Sequence, residues 1–132
     1  MRHSDPSSPE AWMARARSDL ALARLPASDV ILLEDLCFHA QQAAEKSIKA
    51  ILISHGIPFP KTHSIERLID LLPTDIPRPA DLEESSRLTV YATVLRYPGL
   101  SPVSEDKYRN AVRLAEAVVK WAEDILKEAD AL

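Results

Sequence analysis

The apolar positions of the chain fall into helical stripes, and the most regular is the run from Cys37 to Leu52, CFHAQQAAEKSIKAIL. Leu33, Leu36/Cys37, Ala40, Ala44, Ile48 and Ile51 recur in steps of three and four, which marks one buried face of a helix. A polar strip runs along the same helix: Asp35, His39, Gln42, Lys46 and Lys49, with Gln41 and Glu45 beside them. The pattern predicts a helix from about Asp29, a suitable N-cap, to Ser54, roughly 35–40 Å long. His55-Gly56 ends it, with Gly56 suited to the left-handed position that follows a helix.

The remaining elements follow from the same signals. Ser7 or Ser8 caps a first helix, with Pro9 in its first turn and Glu10 at a capping-box spacing from Ser7. Its stripe is Trp12, Ala16, Leu20 and Ala23, and it runs to about Arg24, before Pro26. Pro58 and Pro60 stiffen the next loop. Ser64 then caps a short helix, Ile65 to Leu72. After the connector from Pro73 to Pro79, a fourth helix is expected from about Ala80 to Leu95 or Arg96, with Leu82, Leu88, Ala92 and Leu95 inward. Tyr97 to Val103 is rich in turn residues. Ser104 caps the last helix, with Glu105 and Asp106 in the first turn, where the dipole favours anions. That helix reaches about Ala129, with the stripe Tyr108, Ala111/Val112, Ala115, Val118/Val119, Ala122 and Ile125/Leu126. The expected fold is all-α, an antiparallel up-and-down bundle of about five helices, two long and one short. Residues 1–8 read as a disordered lead-in and 9–130 as a single domain. The proline-rich breaks argue against the alternative, a coiled-coil rod.

Composition narrows the class. Two glycines in 132 residues favour helices over a many-turned β fold. No apolar run approaches the roughly 20 residues that span a bilayer, and the first ten residues lack the apolar centre of a signal peptide. The lone Cys37 sits on the apolar stripe as a small hydrophobe, and a cytoplasmic location is expected. A net charge of −4 argues against binding duplex DNA, which rewards basic surfaces. It leaves room for a local basic pocket holding one nucleotide or a short RNA.

Candidate chemistry is sparse. His3, His39, His55 and His63 form no i, i+4 pair and no zinc spacing, so no metal site is expected. Gly56 and Gly99 cannot write a phosphate-binding glycine loop, and no serine lies in a nucleophile-elbow context. What stands out is the polar strip together with Arg96-Tyr97-Pro98. A guanidinium at a helix end beside a rigid loop suits phosphate or carboxylate. The bland reading pairs Arg96 with Glu45 or Asp35 inside the bundle. The strip itself is either a solvated face, with Glu45 and Lys49 a surface pair worth about 0.2–0.5 kcal/mol, or a covered seam at a helix–helix or dimer contact. His63, just before a helix start, is a loop hydrogen-bonder or a proton carrier.

These residues resemble a known family. CFHAQQAAEKSIKAIL, then Gly56 and Pro60-Lys61-Thr62-His63-Ser64-Ile65, then YATVLRYP from Tyr91 to Pro98, look like the HEPN domain (higher eukaryotes and prokaryotes nucleotide-binding). Trp12, Ala16, Asp19-Leu20 and Ala23 fit its first helix, so the resemblance covers about residues 9 to 128. It implies a four- or five-helix bundle, commonly a dimer. Such domains are often encoded beside a minimal nucleotidyltransferase in a toxin–antitoxin-like pair. Many members are metal-independent ribonucleases with an Arg followed, after four to six residues, by a His. This chain departs from that motif. The positions open to the histidine after Arg96 are Ser101, Pro102 and Val103, and no histidine follows His63.

The resemblance therefore implies a non-catalytic subunit that binds a nucleotidyltransferase partner and a nucleotide, with no other cofactor. Arg96 would hold phosphate or fix the seam. Tyr97 would stack or donate its hydroxyl, Lys46 and Lys49 would add positive charge, and Gln42 would add a hydrogen bond, with Glu45 and His63 in the same site. The alternatives are a ribonuclease toxin with an altered site built on Arg96 and His63 or Tyr97, and a purely structural homodimer.

Overall fold

The computed structural model describes residues 7–93 and 103–131. Among them are five α-helices: α1 Pro9–Ala23, α2 Leu33–Ser54, α3 Ile65–Asp70, α4 Ala80–Glu84 and α5 Glu105–Ala131. A 3-10 helix, Ser85–Tyr91, continues directly from α4. The described residues contain no strand, and no helix among them is long and apolar enough to cross a membrane.

The chain runs up and down. α1 and α2 pack most extensively, and α2 and α5 next. Ion pairs Arg17–Glu123 and Arg24–Glu116 set α1 antiparallel to α5. The start of α5 meets the start of α2, where the Val103 N–H donates to Glu34 Oε1 at 3.1 Å. α2 and α5 therefore run in the same direction. The leg between them is assembled from α3, α4 and the 3-10 helix. Arg113 of α5 reaches Asp81 and Glu84 of α4, and the Trp121 indole donates to the Pro77 carbonyl at 2.8 Å.

The core is built on alanine. Ala16, Ala23, Ala40, Ala43, Ala44 and Ala50 are wholly buried, so helix axes approach closely. Ile48, Ile51, Leu52, Ile65, Leu68, Leu82, Leu88, Leu114 and Val118 fill the remaining volume. Cys37 lies in this core, where burial, with a smaller effect of Glu34, pushes its thiol up to about 12. The thiol is therefore protonated and inert at neutral pH.

Local chemistry sets the ends. The Ser8 hydroxyl accepts from the Ala11 N–H, so Ser8 is the cap, and Glu10 falls one position short of a capping box. Ser8 is itself buried, and so belongs to the folded part rather than to a lead-in. α2 ends in a Schellman motif: Ile57 N–H donates to Leu52 O, Gly56 N–H to Ile53 O, and Gly56 has φ 68°. Ser64 and Ser104 each accept from the backbone N–H three residues on, at the starts of α3 and α5.

Three expected boundaries are corrected. Asp29 does not cap α2. Ser28 Oγ accepts from the Val30 and Ile31 N–H groups, and the Ser28 N–H bonds to Ile31 O, closing a turn that delays the helix to Leu33. α3 stops at Asp70 rather than Leu72, although Leu72 stays buried. The fourth helix is not one α-helix to residue 95. At Ser85, whose hydroxyl donates to Leu82 O at 2.6 Å, the winding tightens to three residues per turn. That period puts Leu82, Ser85, Leu88 and Tyr91 on one buried face and leaves Ala92 only half-buried. Leu95 and the expected helix end lie outside the described residues.

The alanine contacts generate a prediction. Ala44→Leu inserts three heavy atoms where no space exists, and should destabilise the fold by about 1–3 kcal/mol, read as a lower urea midpoint at unchanged m.

Candidate functional site

α2 is buried on nearly every side, its polar strip included. Gln41 and Ser47 are wholly inaccessible, and Gln42, Glu45 and Lys49 are buried. The strip is thus a covered seam, and it divides into two clusters facing different neighbours.

The first centres on the Glu45 carboxylate. Oε1 accepts from Gln41 Nε2 at 2.9 Å and pairs with His63 Nδ1 at 3.0 Å, while Oε2 accepts from Lys49 Nζ at 2.9 Å. Gln41 Nε2 also donates to the His63 carbonyl at 3.2 Å, and its Oε1 accepts from Gln42 Nε2 at 2.7 Å. Lys49 Nζ lies 5.6 Å from the Trp12 ring centroid and 5.3 Å from that of Phe59. The two rings meet edge to face. Burial by itself raises the Glu45 pKa. Hydrogen bonds from Gln41, Lys49 and His63, with the Lys49 charge, outweigh it and hold the carboxyl below its ordinary value.

The second cluster centres on Asp19 of α1, a buried carboxylate. Oδ1 pairs with His39 Nδ1 at 2.9 Å and Oδ2 accepts from Lys46 Nζ at 2.6 Å. Asp19 was the signal within the helix-one stripe that periodicity alone passes over: it lies three residues after Ala16 and four before Ala23, among apolar positions. Both clusters are internally complete. No fully enclosed side-chain nitrogen or oxygen among the described residues lacks a hydrogen-bond partner.

The structure thus brings Gln42, Glu45, Lys49 and His63 together and places Lys46 in the neighbouring cluster. Asp35 is exposed at the start of α2 and belongs to neither. Arg96 and Tyr97 lie outside the described residues. Each lysine of the seam faces a carboxylate, so its charge is already matched. Of the two carboxylate-oriented imidazoles, His63 is the more open: its side chain is 57% exposed against 31% for His39, while the carboxylate that orients it is 4% exposed. Glu45 accepting at Nδ1 fixes that nitrogen as the protonated one and leaves Nε2 without a partner among the described residues. The unit is chemically a carboxylate-oriented imidazole, able to donate or accept one hydrogen bond or proton at Nε2. Among the described residues, no group of three or more His, Cys, Asp or Glu side chains is placed to hold a metal ion.

Comparison with known proteins places the chain. A family model described as HEPN domain matches residues 9–125. The crystal structure of TT1696 from Thermus thermophilus is similar, with 27% identity and a TM-score of 0.72, over 94% of this chain and 98% of that one. The crystal structure of ST0689, an archaeal HEPN homologue, has 29% identity and a TM-score of 0.69, over 89% of this chain and 96% of that one. Among curated proteins, none matches the chain.

Two predictions follow from the Glu45 cluster. Glu45→Ala strands the buried Lys49 ammonium and should cost about 3–5 kcal/mol. Lys49→Ala should cost less, because Glu45 keeps Gln41 and His63; urea unfolding of the two variants gives the order. Glu45 is also more acidic folded than unfolded. Its stabilisation should be complete above the unfolded carboxyl pKa, about 4.3, and vanish as pH falls through the depressed folded value. Acid titration of stability should show a drop in that window that Glu45→Gln lacks.

Proposed function

The chain belongs to the HEPN domain family, and on that premise we propose that it is a non-catalytic subunit that binds a nucleotide and acts through a partner protein. One observation carries this reading. The ribonuclease pair of the family needs a histidine shortly after its arginine, and here Ser101, Pro102 and Val103 occupy those positions, with no histidine anywhere beyond His63. An imidazole there would take or give the proton of the reacting hydroxyl or leaving oxygen. Without it the arginine is left as a binder, a role its planar fork suits.

The partner we propose is a minimal nucleotidyltransferase, met by a homodimer of this chain in a cytoplasmic two-gene system of toxin–antitoxin type. Arg96 and Tyr97 supply ligand contact, and His63 adds a hydrogen bond at Nε2. Gln42, Glu45, Lys46 and Lys49 hold the scaffold that positions them. The complete pairing of Lys46 with Asp19 and of Lys49 with Glu45 supports this division of labour.

A second reading has an observation in its favour. The Glu45–His63 pair has the arrangement of an oriented general base, so an altered ribonuclease site could use His63 in place of the missing histidine.

Affinity capture of the tagged protein from its own cells, with mass spectrometry and a nuclease-treated control, separates the two. A stoichiometric nucleotidyltransferase is expected; RNA without a protein partner would overturn the reading. Induced expression should be harmless. Toxicity lost in both Arg96→Ala and His63→Ala would establish the second reading instead.

A further inference from the structure

Of the seven large apolar side chains that are exposed among the described residues, five fall in one eleven-residue stretch, Leu22 to Leu32. The other two, Leu71 and Val90, stand singly. Single exposed apolar residues are ordinary on a protein surface, whereas a group of five at one turn is not. Leu22 and Leu25 lie at and just past the end of α1, and Val30, Ile31 and Leu32 immediately precede α2. Val30 is 87% exposed and Leu32 51%.

The turn that displays them is built. Ser28 Oγ accepts from the Val30 and Ile31 N–H groups, and the Ser28 N–H donates to Ile31 O at 2.9 Å. The Leu25 N–H donates to Leu22 O at 3.1 Å, and Pro26 fixes its own φ. The turn thus meets its own hydrogen bonds with Val30 in solvent.

Charge decides what suits this tip. From residue 22 to 35 the chain carries Asp29, Glu34 and Asp35 against one cation, Arg24, which already faces Glu116. Asp29 and Asp35 are exposed and face no cation among the described residues. The adjoining start of α5 does not offset them, since Lys107 and Arg109 there are matched in number by Glu105 and Asp106. An anionic bilayer surface draws basic segments, so the sign is wrong for a membrane. A two-fold contact between copies through this tip would lay each patch on its equivalent and bring Asp29 and Asp35 against like charges. A projecting turn offers no concave site to a small molecule.

We infer that the turn from Leu22 to Leu32 is a docking knob for a partner protein that presents an apolar groove bordered by lysine or arginine. The inference rests on the reading above that the chain acts through a partner, and deepens it by assigning the surface and its chemistry. Long cationic side chains suit the border, because their stems cover apolar surface while their heads reach Asp29 and Asp35. Val30, the most exposed of the five, is the anchor.

The test is photo-cross-linking in the protein's own cells, with p-benzoylphenylalanine in place of Val30 in the full chain. Affinity capture of the wild type, Val30→Ser/Leu32→Ser and the control Leu71→Ser/Val90→Ser accompanies it. The adduct should map to a partner segment that combines apolar residues with lysine or arginine. Capture of that partner should fall roughly tenfold or more in the tip variant and hold in the control, and the urea midpoint of the tip variant should match the wild type. An adduct on a second copy of the chain, on lipid, or on a partner segment without basic residues would overturn the proposed occupant. An adduct confined to the same chain, or a lowered urea midpoint, would show the tip already covered and overturn the knob. A partner captured equally by the tip variant would overturn the site and leave the partner reading intact. No protein captured by the wild type would overturn both.

Discussion

A charged carboxylate inside a largely enclosed helix is the constraint on which the rest of the structure depends. α2 has neighbours on almost every side, yet it carries Gln41, Gln42, Glu45 and Lys49 as well as its apolar stripe. Removing an ion pair from water costs several kcal/mol per ion unless geometry and further hydrogen bonds offset it. Glu45 meets the condition with three partners at 2.9–3.0 Å, drawn from α2 itself and from the turn before α3. The apolar walls come from Trp12 of α1 and Phe59 of the proline-stiffened loop. Three separate segments must be in place before the charge is satisfied, so the network joins local helix formation to the assembly of the bundle.

The same logic explains α1. Its stripe of small residues brings it close enough to α2 for Asp19 to reach His39 and Lys46. Close approach and buried polarity support each other here: alanines bring the backbones together, and the polar contacts fix the register that alanine packing leaves loose. The ion pairs from α1 to α5 are exposed and add little energy.

For function, the consequence is that most of the polar residues conspicuous in the sequence serve the scaffold. The seam lysines neutralise carboxylates, and the groups left open lie at its margins. One is the His63 imidazole, half in solvent and oriented by Glu45. The family's Arg…His spacing is absent after Arg96, and this absence is what the proposed binding role rests on.

The helical class, the two long helices, the caps Ser64 and Ser104 and the left-handed Gly56 were all legible in the sequence. They depend on period, capping chemistry and one residue's backbone freedom, which are local properties. The family, too, was written in three short runs of residues. What local reasoning could not decide was competition. Ser28 closed a turn in which its side chain accepts from the Val30 and Ile31 N–H groups and its own N–H takes the Ile31 carbonyl that a helix starting at Asp29 would have offered to Asp35, and the segment after Glu84 wound to three residues per turn because Leu82, Ser85, Leu88 and Tyr91 then share one buried face. The split of the polar strip into an Asp19 cluster and a Glu45 cluster was likewise invisible, since each depends on a partner 18 to 27 residues away in sequence. Only the tertiary structure decided which charges are spent and which stay open, because a charge's partner is fixed by where distant segments pack and not by its neighbours in the chain.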